Sequence, residues 1–288
     1  MLVKPLETEN RKIMNKKLLE LENYLKTDVL VYYGNIGLNS DNIIKHVIED
    51  LKQDTSVNND KLSVILTTNG GSLSPVERIV NVFRNFYSEV YFIIPDYAYS
   101  AGTIMCMSAD KIYMNYYSVL GPIDPQVMNK DGHYVPALNY LDKIGELIKK
   151  AENNELTDAE FMILKDFDLA ELREYEQARD LAITMIEKWL VQYKFKDWKQ
   201  HSNGMPVSEE EKLQRAQDIA KTLSDNKKWK THGRPINMAT LSTELRLRIE
   251  DYGKDKKLNE LIGEYYSHMQ EYVSQHEYTN FIHTRRIL

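Results

Sequence analysis

A serine and a pair of glycines follow two apolar stretches of this sequence, and their placement suits acyl-transfer chemistry. Ser100 comes soon after residues 89–94 (Glu-Val-Tyr-Phe-Ile-Ile), whose β-branched and aromatic side chains predict a buried strand. Residues 103–109 are apolar, lack Gly and Pro, and predict a buried helix. Backbone N–H groups at the start of a helix are unpaired and favour developing negative charge. A serine at such a junction is placed to attack a carbonyl carbon beside an oxyanion site.

A second turn of the same kind lies about thirty residues earlier. Residues 61–68 predict another strand, which runs directly into Gly70 and Gly71. Paired glycines let the backbone turn sharply and approach a ligand closely. A helix follows from Ser74 to about Tyr87, with Pro75 suited to its first turn. The structural alternative for Ser100 is a helix N-cap, a position that serine favours without any catalytic role.

Four further motifs carry a family resemblance. The two strand-to-helix turns resemble those of the Clp protease and crotonase superfamily, in which the glycine turn and the residue after the serine supply oxyanion-hole N–H groups. The downstream motifs resemble the serine dehydrogenase proteinase family, a relative of signal peptide peptidase A, over roughly Asp28 to Asp251. These motifs are residues 110–114 (Asp-Lys-Ile-Tyr-Met), 120–126 (Leu-Gly-Pro-Ile-Asp-Pro-Gln), 134–137 (Tyr-Val-Pro-Ala) and 229–236 (Trp-Lys-Thr-His-Gly-Arg-Pro-Ile).

The resemblance implies a fold and a site. The fold would be α/β, a Clp/crotonase-like spiral of ββα units with a helical C-terminal elaboration. The nucleophile would be Ser100, and the oxyanion donors would be Gly70 or Gly71 together with Ala101. The family's name mentions a dehydrogenase, but no motif gives a reason to propose a nicotinamide or pyridoxal cofactor, and we predict none. The histidines show no metal-ligand spacing, so we predict no metal either.

The resemblance implies two kinds of base that could activate Ser100, because Clp proteases use a histidine and signal peptide peptidases use a lysine. The segment that matches the Clp histidine motif, residues 121–126, contains no histidine. His232 is our first candidate, since residues 231–236 resemble the Clp segment that carries the aspartate of the triad and a neutral imidazole is a good general base near pH 7. Lys143 is the alternative, although it lies among charged residues of a predicted helix where lysine is expected anyway.

Asp124 has two interpretations. It could orient the base or stabilise its charge, as the acid of a catalytic triad does. Alternatively, Gly-Pro-Ile-Asp-Pro is a rigid turn in which the side-chain oxygen of Asp124 caps nearby backbone. Both interpretations stay open at this point.

Composition excludes several classes of protein. The chain has 288 residues, of which 42% are hydrophobic and 28% charged, and its formal net charge of −6 gives no support for a nucleic-acid partner. The single Cys106 excludes an intramolecular disulfide and fits a reducing compartment. No apolar run approaches the roughly 20 residues that span a bilayer, and the N-terminus lacks the apolar core of a signal peptide. We therefore predict a cytoplasmic location.

Hydrophobic periodicity divides the chain into four parts. Residues 1–27 predict an N-terminal amphipathic helix, and residues 28–135 predict the Clp/crotonase-like core with the nucleophile. Residues 136–228 read as a helical insertion, and residues 229–288 return to the core and end in C-terminal helices. Within the last two parts we predict helices over residues 161–193, 209–223 and 258–272, and a polar, basic tail from residue 276 as a surface arm.

Three functions are consistent with these features. The leading prediction is a serine peptidase, or related acyl-transfer hydrolase, that acts on a peptide or protein substrate. A crotonase-type enzyme acting on coenzyme A thioesters would use the same pair of amides, and an inactive Clp-like scaffold would explain the absent Clp histidine. The resemblance also implies a homo-oligomer, and the helical region could bind a partner protein.

Overall fold

The computed structural model describes residues 5–54, 57, 59–128, 132 and 134–287 of the chain. Strands and helices alternate through the first half, as the sequence pattern predicts, whereas the second half is mostly helical. The strands are β1 (Asp28–Gly34), β2 (Lys61–Thr67), β3 (Glu89–Ile93), β4 (Tyr97–Ala98), β5 (Lys111–Met114), β6 (Val119–Leu120), β7 (Gln126–Met128), β8 (Tyr134–Pro136), β9 (Ile236–Asn237), β10 (Glu250–Asp251) and β11 (Asn280–His283).

The helices surround the strands. They are α1 (Pro5–Leu25), α2 (Ser40–Lys52), α3 (Ser74–Phe86), α4 (Ala101–Cys106), α5 (Ala137–Glu152), α6 (Asp158–Lys165), α7 (Leu169–Trp189), α8 (Glu209–Leu223), α9 (Asn226–Trp229), α10 (Met238–Thr243) and α11 (Lys256–Gln275). A π-helical turn at Leu190–Lys194 continues α7, and a 3-10 turn at Tyr252–Lys254 precedes α11.

A six-stranded sheet forms the centre of the molecule, with strand order β10-β5-β3-β2-β1-β11. All neighbouring strands are parallel except β11, which runs antiparallel to β1. Because parallel strands need crossover connections, helices α2 and α3 link β1, β2 and β3.

A second layer of short pairings lies beyond the carboxyl ends of these strands. Ile36 bridges Gly71, and Thr68 bridges Ala98, both in parallel. Strand β4 likewise pairs in parallel with β6, which then pairs with β9. A long strand, a short second-layer segment and a helix therefore recur along the chain. This confirms the Clp/crotonase-like ββα spiral with a helical C-terminal elaboration.

Two hydrophobic cores lie on opposite faces of the central sheet. Successive side chains of a strand point to opposite faces, and β1 shows this clearly. Leu30 and Tyr32 belong to the core that contains α2, α3 and α4. Val29 and Val31 belong to the other core, which α1 and α11 cover. The N-terminal amphipathic helix therefore packs on the sheet and on α11 within the same chain.

The helical region differs from the prediction at residues 161–193, which are not one helix. Helix α6 ends at Lys165, and α7 begins at Leu169 after an N-cap aspartate, Asp168. The Asp168 carboxylate accepts a hydrogen bond from the Ala170 N–H at 2.7 Å. Aspartate favours N-cap positions, so this local interaction starts a new helix inside a stretch that lacks Gly and Pro.

The C-terminal tail is also not a free surface arm, because β11 completes the sheet and buries Phe281 and His283. Arg285 lies just beyond β11. Its guanidinium pairs with Glu22 at 3.0 Å and with Asp28 at 2.8 Å. The basic character of the tail is thus used to bind carboxylates of α1 and β1.

No helix within the described ranges has the length and apolar composition needed to cross a membrane.

Candidate active site

Ser100 lies in a strained turn between β4 and α4. Its backbone has φ +51° and ψ −116°, a combination that non-glycine residues rarely adopt. The turn is fixed on both sides: the Tyr99 N–H donates to the Thr68 carbonyl at 2.9 Å, and the Ile104 N–H donates to the Ser100 carbonyl at 3.0 Å. Strained strand-to-helix turns of this kind present the nucleophile in serine hydrolases of the α/β-hydrolase fold.

Ser100 occupies the N-cap position of α4, but its side chain does not cap the helix. The hydroxyl forms no hydrogen bond with any residue in the described part of the chain. The residue is 4% exposed. A serine retained only for capping would accept a hydrogen bond from the helix N–H groups. Ser100 accepts none, so its N-cap position alone does not explain why a serine is found here.

The glycine turn packs directly against Ser100. A Cβ atom at Gly70 would lie 2.8 Å from the Ser100 Cβ and 2.7 Å from the Tyr99 carbonyl oxygen. Gly70 and Gly71 have φ values of +98° and +135°, which side chains other than glycine rarely allow. A glycine pair is therefore required here both by the backbone conformation and by the close approach of the two turns.

The two glycines differ in what their N–H groups can do. The Gly70 N–H donates to the Thr68 hydroxyl at 2.9 Å. The backbone bridge to Ile36 uses the Gly70 carbonyl and the Ser72 N–H, which leaves the Gly71 N–H without a described partner. Ala101 is the first residue of α4, so its N–H has no acceptor within the helix. The N–H groups of Gly71 and Ala101 are thus backbone donors in the two turns that have no acceptor among the described residues.

His232 shares a cavity of about 570 Å³ with this turn. The walls include Ile36, Leu38, Gly70, Gly71, Tyr99 and His232. Ser100 is in close contact with Gly70 and follows Tyr99, but it does not itself line this cavity.

The His232 ring is half-buried, and its Nδ1 atom is buried without a hydrogen-bond partner among the described residues. Burial lowers the pKa of His232 below its usual value. The imidazole is therefore neutral at pH 7 and able to accept a proton.

Asp124 is buried but is not joined to His232 by a hydrogen bond. Its Oδ1 atom accepts from the Leu138 N–H at 3.1 Å, so the side chain caps the first turn of α5. Burial raises the pKa of Asp124 to about 6, although the bond from Leu138 lowers it. Asp124 thus caps α5, which begins more than ten residues later in the sequence, and not the turn at residues 121–125 in which it lies.

Lys143 lies on the outer face of α5, with its side chain 63% exposed. Its ammonium group is 3.7 Å from the Glu146 carboxylate. A lysine must lose its hydration to act as a base near neutral pH, and this environment does not provide that.

Among the described residues, no group of three His, Cys, Asp or Glu side chains is arranged to hold a metal ion.

Comparison with protein families identifies the chain. The model of the ClpP-like SDH-type serine proteinases matches residues 38–284. The chain belongs to this family.

Two curated proteins of Methanocaldococcus jannaschii are similar to this SDH-type chain. The uncharacterized protein MJ0137 is 34% identical over 121 residues, which are 39% of this chain and 42% of that protein. The uncharacterized protein MJ1495 is 29% identical over 116 residues, which are 40% of this chain and 36% of that protein. The matches therefore span less than half the length of either relative.

Solved structures of low sequence identity also match this SDH-type chain. A mutant of the membrane-bound stomatin-specific protease 1510-N has a TM-score of 0.32 and 16% identity, and the match covers 66% of this chain and 74% of that one. The ClpP catalytic domain of Plasmodium falciparum has a TM-score of 0.30 and 14% identity, with coverage of 55% and 85%.

Two threonines that sequence reasoning missed support the site in this SDH-type chain. Thr68 orients the glycine turn through its bond to Gly70. The Thr103 hydroxyl donates to the Ala98 carbonyl at 2.8 Å and lies 3.1 Å from the Gly121 N–H, so it joins α4 to the motif at residues 120–126. The position of Thr68 two residues before a glycine could have indicated this role, because threonine side chains hydrogen-bond to nearby backbone in turns. Thr103 gave no such signal.

Proposed function

We propose that this protein is a serine peptidase in which Ser100 is the nucleophile. The observation that carries the proposal is the conformation of Ser100. It lies at the start of a helix in strained backbone geometry, and its hydroxyl caps nothing. Membership of the SDH-type serine proteinase family supports the same reaction class.

The reaction would follow the usual course of acyl transfer. The Ser100 oxygen attacks the carbonyl carbon of a peptide bond, and His232 takes the hydroxyl proton. The N–H groups of Gly71 and Ala101 donate hydrogen bonds to the oxyanion of the tetrahedral intermediate. His232 then returns the proton to the leaving amine, and a water molecule hydrolyses the ester on Ser100 to release the second product.

His232 is the base in this proposal because it shares the cavity of the glycine turn and has a free, buried ring nitrogen. Lys143 is left out because it is exposed and paired with Glu146. We assign Asp124 a positioning role through its cap on α5. The proposed site is therefore a Ser-His pair without a described carboxylate partner for the histidine.

The cavity also indicates what the substrate presents. Ile36, Leu38 and Tyr99 give its walls an apolar character beside the glycine turn. Apolar walls favour apolar ligand groups, because their contact removes nonpolar surface from water. We infer a peptide or protein substrate that places an apolar side chain next to the scissile bond.

We also infer that the chain forms a homo-oligomer. Helix α6 has no buried residue, and Phe161, Met162 and Ile163 are each more than half exposed. Contiguous exposed apolar side chains are typical of surfaces that bind another protein. Sedimentation velocity would test the inference, since a mass of only 33.7 kDa at micromolar concentration would contradict it.

Hydrolysis of a library of quenched fluorescent peptides tests the proposed activity. The wild-type protein should cleave peptides with apolar residues, and Ser100→Ala should lose the activity by several orders of magnitude. Circular dichroism of both proteins would show that the variant is folded. Cleavage by wild type and Ser100→Ala at the same rate would contradict the proposal.

A further inference from the structure

A second cavity, larger than the first, lies at the opposite end of the central sheet. Its volume is about 720 Å³, and we call it the Lys194 cavity after the residue at its base. It borders Lys111 at the amino end of β5, whereas the Gly70–Gly71 turn and the Ser100 turn lie beyond the carboxyl ends of β2 and β3. This volume is within the range of small-molecule sites, and none of the proposed catalytic residues lines it.

Lys194 occupies an unusual position in this cavity. It is the last residue of the π-helical turn Leu190–Lys194, which follows α7. Single π-helical turns are rare and occur often at functional sites. Protein encloses most of the side chain, and the remainder of its surface is open to the cavity. Burial is the main reason why the pKa of Lys194 is lowered to about 8.

The ammonium group of Lys194 is only partly compensated, because Glu250 and Asp110 attract it and raise its pKa but neither carboxylate forms a described ion pair with it. Its one hydrogen bond is a long one, 3.4 Å, to the carbonyl oxygen of Asp110. It forms no ion pair with any carboxylate in the described part of the chain. Withdrawing a charge from water is costly unless an opposite charge or strong hydrogen bonds replace the water. A bound anion would supply that compensation.

Two arginines of the lining are free to contact the same ligand. Arg215 projects from α8 and is half-buried, and Arg246 lies at the rim in a positive-φ conformation. Neither side chain forms an ion pair or hydrogen bond with a residue of the described ranges. Arginine presents a planar fork of donors that fits phosphate and carboxylate oxygens.

Most carboxylates of the lining have partners of their own. Asp110 lies 2.7 Å from Arg84, Glu250 lies 2.9 Å from Arg248, and Glu211 lies 3.1 Å from His201. Asp218 accepts a hydrogen bond from Gln214 at 3.0 Å, and Asp197 is the remaining acid. The lining therefore holds five acids and five Lys or Arg residues, and the bases without an ion-pair partner among the described residues are Lys111, Lys194, Arg215 and Arg246.

An aromatic wall accompanies these cations. Trp198 packs edge-to-face against Phe195, with ring centroids 5.7 Å apart, and against His201 at 5.6 Å. Both Phe195 and Trp198 line the cavity, and an aromatic surface beside basic groups suits a ligand with a ring as well as an anionic group.

We propose that the Lys194 cavity binds a phosphorylated small molecule, with its phosphate held by Lys194 and Arg215 and its apolar or aromatic part against Trp198. A phosphate monoester carries close to two negative charges at pH 7, so it balances these cations better than a single carboxylate does. The site is independent of Ser100 and of the proposed peptidase reaction.

Isothermal titration calorimetry of the full chain tests this site with inorganic phosphate, pyrophosphate, AMP and citrate as probes. AMP should bind one per chain, more tightly than inorganic phosphate because of Trp198, and citrate should bind more weakly than pyrophosphate. Lys194→Gln and Arg215→Gln should each weaken AMP binding by about tenfold or more.

The matched control is Lys221→Gln, an exposed residue of the same helix as Arg215 that lies outside the cavity lining. It should leave AMP binding unchanged. Arg215→Gln keeps the test valid if Lys194→Gln fails to fold. Absence of binding by every phosphate probe at about 10 mM, tighter binding of citrate than of pyrophosphate, or wild-type affinity in both cavity variants would overturn the proposal.

Discussion

Gly70 and Ser100 approach each other so closely that a methyl group at Gly70 would lie 2.8 Å from the Ser100 Cβ atom. The same methyl group would lie 2.7 Å from the Tyr99 carbonyl oxygen, which is backbone and cannot rotate away. The two strand-to-helix turns are thus held as one unit, and the positions of the Gly71 and Ala101 N–H groups relative to the Ser100 oxygen depend on it.

Gly70→Ala should separate the two turns and remove most of the peptidase activity. The substitution combines a clash with backbone and a φ of +98°, so we expect a loss of stability of about 2 kcal/mol or more. The matched control is Gly263→Ala on the exposed face of α11, where an added methyl group meets nothing within 4 Å. It should be neutral or slightly stabilising. Peptide hydrolysis and urea unfolding would check both, and a fully active Gly70→Ala protein would contradict the geometry.

His232→Ala should reduce activity to about the level of Ser100→Ala, because members of one catalytic unit fail together. In the wild type, kcat/KM should rise with pH through a single ionisation below about 6.5, since burial lowers the pKa of His232 and the ring must be neutral to accept a proton. Lys143→Ala should change the rate little, as its side chain is exposed. The reverse pattern, with Lys143→Ala inactive and His232→Ala active, would assign the base to the lysine.

His283 should make the protein less stable in mild acid. It is buried, its Nδ1 lies 2.6 Å from the Tyr265 hydroxyl, and its Nε2 lies 2.7 Å from the side-chain oxygen Oδ1 of Asn15. Burial lowers its pKa to about 3 in the folded state, against about 6.5 in the unfolded chain. Between these values only the unfolded state takes up the proton, so stability falls by up to about 1.4 kcal/mol per pH unit as the pH decreases.

Denaturant unfolding at several pH values between about 4.5 and 6.5 would measure this slope. His283→Gln should flatten it, whatever its effect on stability at pH 7. His268→Gln, on the exposed face of α11, should leave the slope as in the wild type. An unchanged slope in His283→Gln would show that other groups cause the loss of stability in acid.

The sequence predicted those elements whose ends carry strong local signals. Helix α8 begins and ends where predicted, and Ser208 and Glu211, whose spacing is typical of a capping box, form one at its start. Helix α3 also begins at the predicted Ser74 and ends at Phe86, next to the predicted Tyr87. The position of Ser100 at the start of a helix followed from the change from a strand pattern to an apolar helical stretch.

The features that escaped prediction depend on contacts between distant residues. Strand β11 is a short edge strand whose burial depends on pairing with β1, more than 200 residues earlier. The second-layer strands β4 and β6 have two residues each, too few to show an alternating pattern. The Thr68 hydroxyl and the bridge to Ile36 determine which of the two glycine N–H groups is left without a described partner. No sequence motif predicts these two contacts.

Mass spectrometry of the protein after reaction with a fluorophosphonate probe tests the central claim most directly. The probe reacts with activated serine hydroxyls, so an unactivated N-cap serine would not be labelled. The account predicts one adduct per chain, located by peptide mapping at Ser100, absent from Ser100→Ala and strongly reduced in His232→Ala. A folded wild-type protein that is not labelled at Ser100, or a Ser100→Ala protein labelled to the same extent, would contradict it.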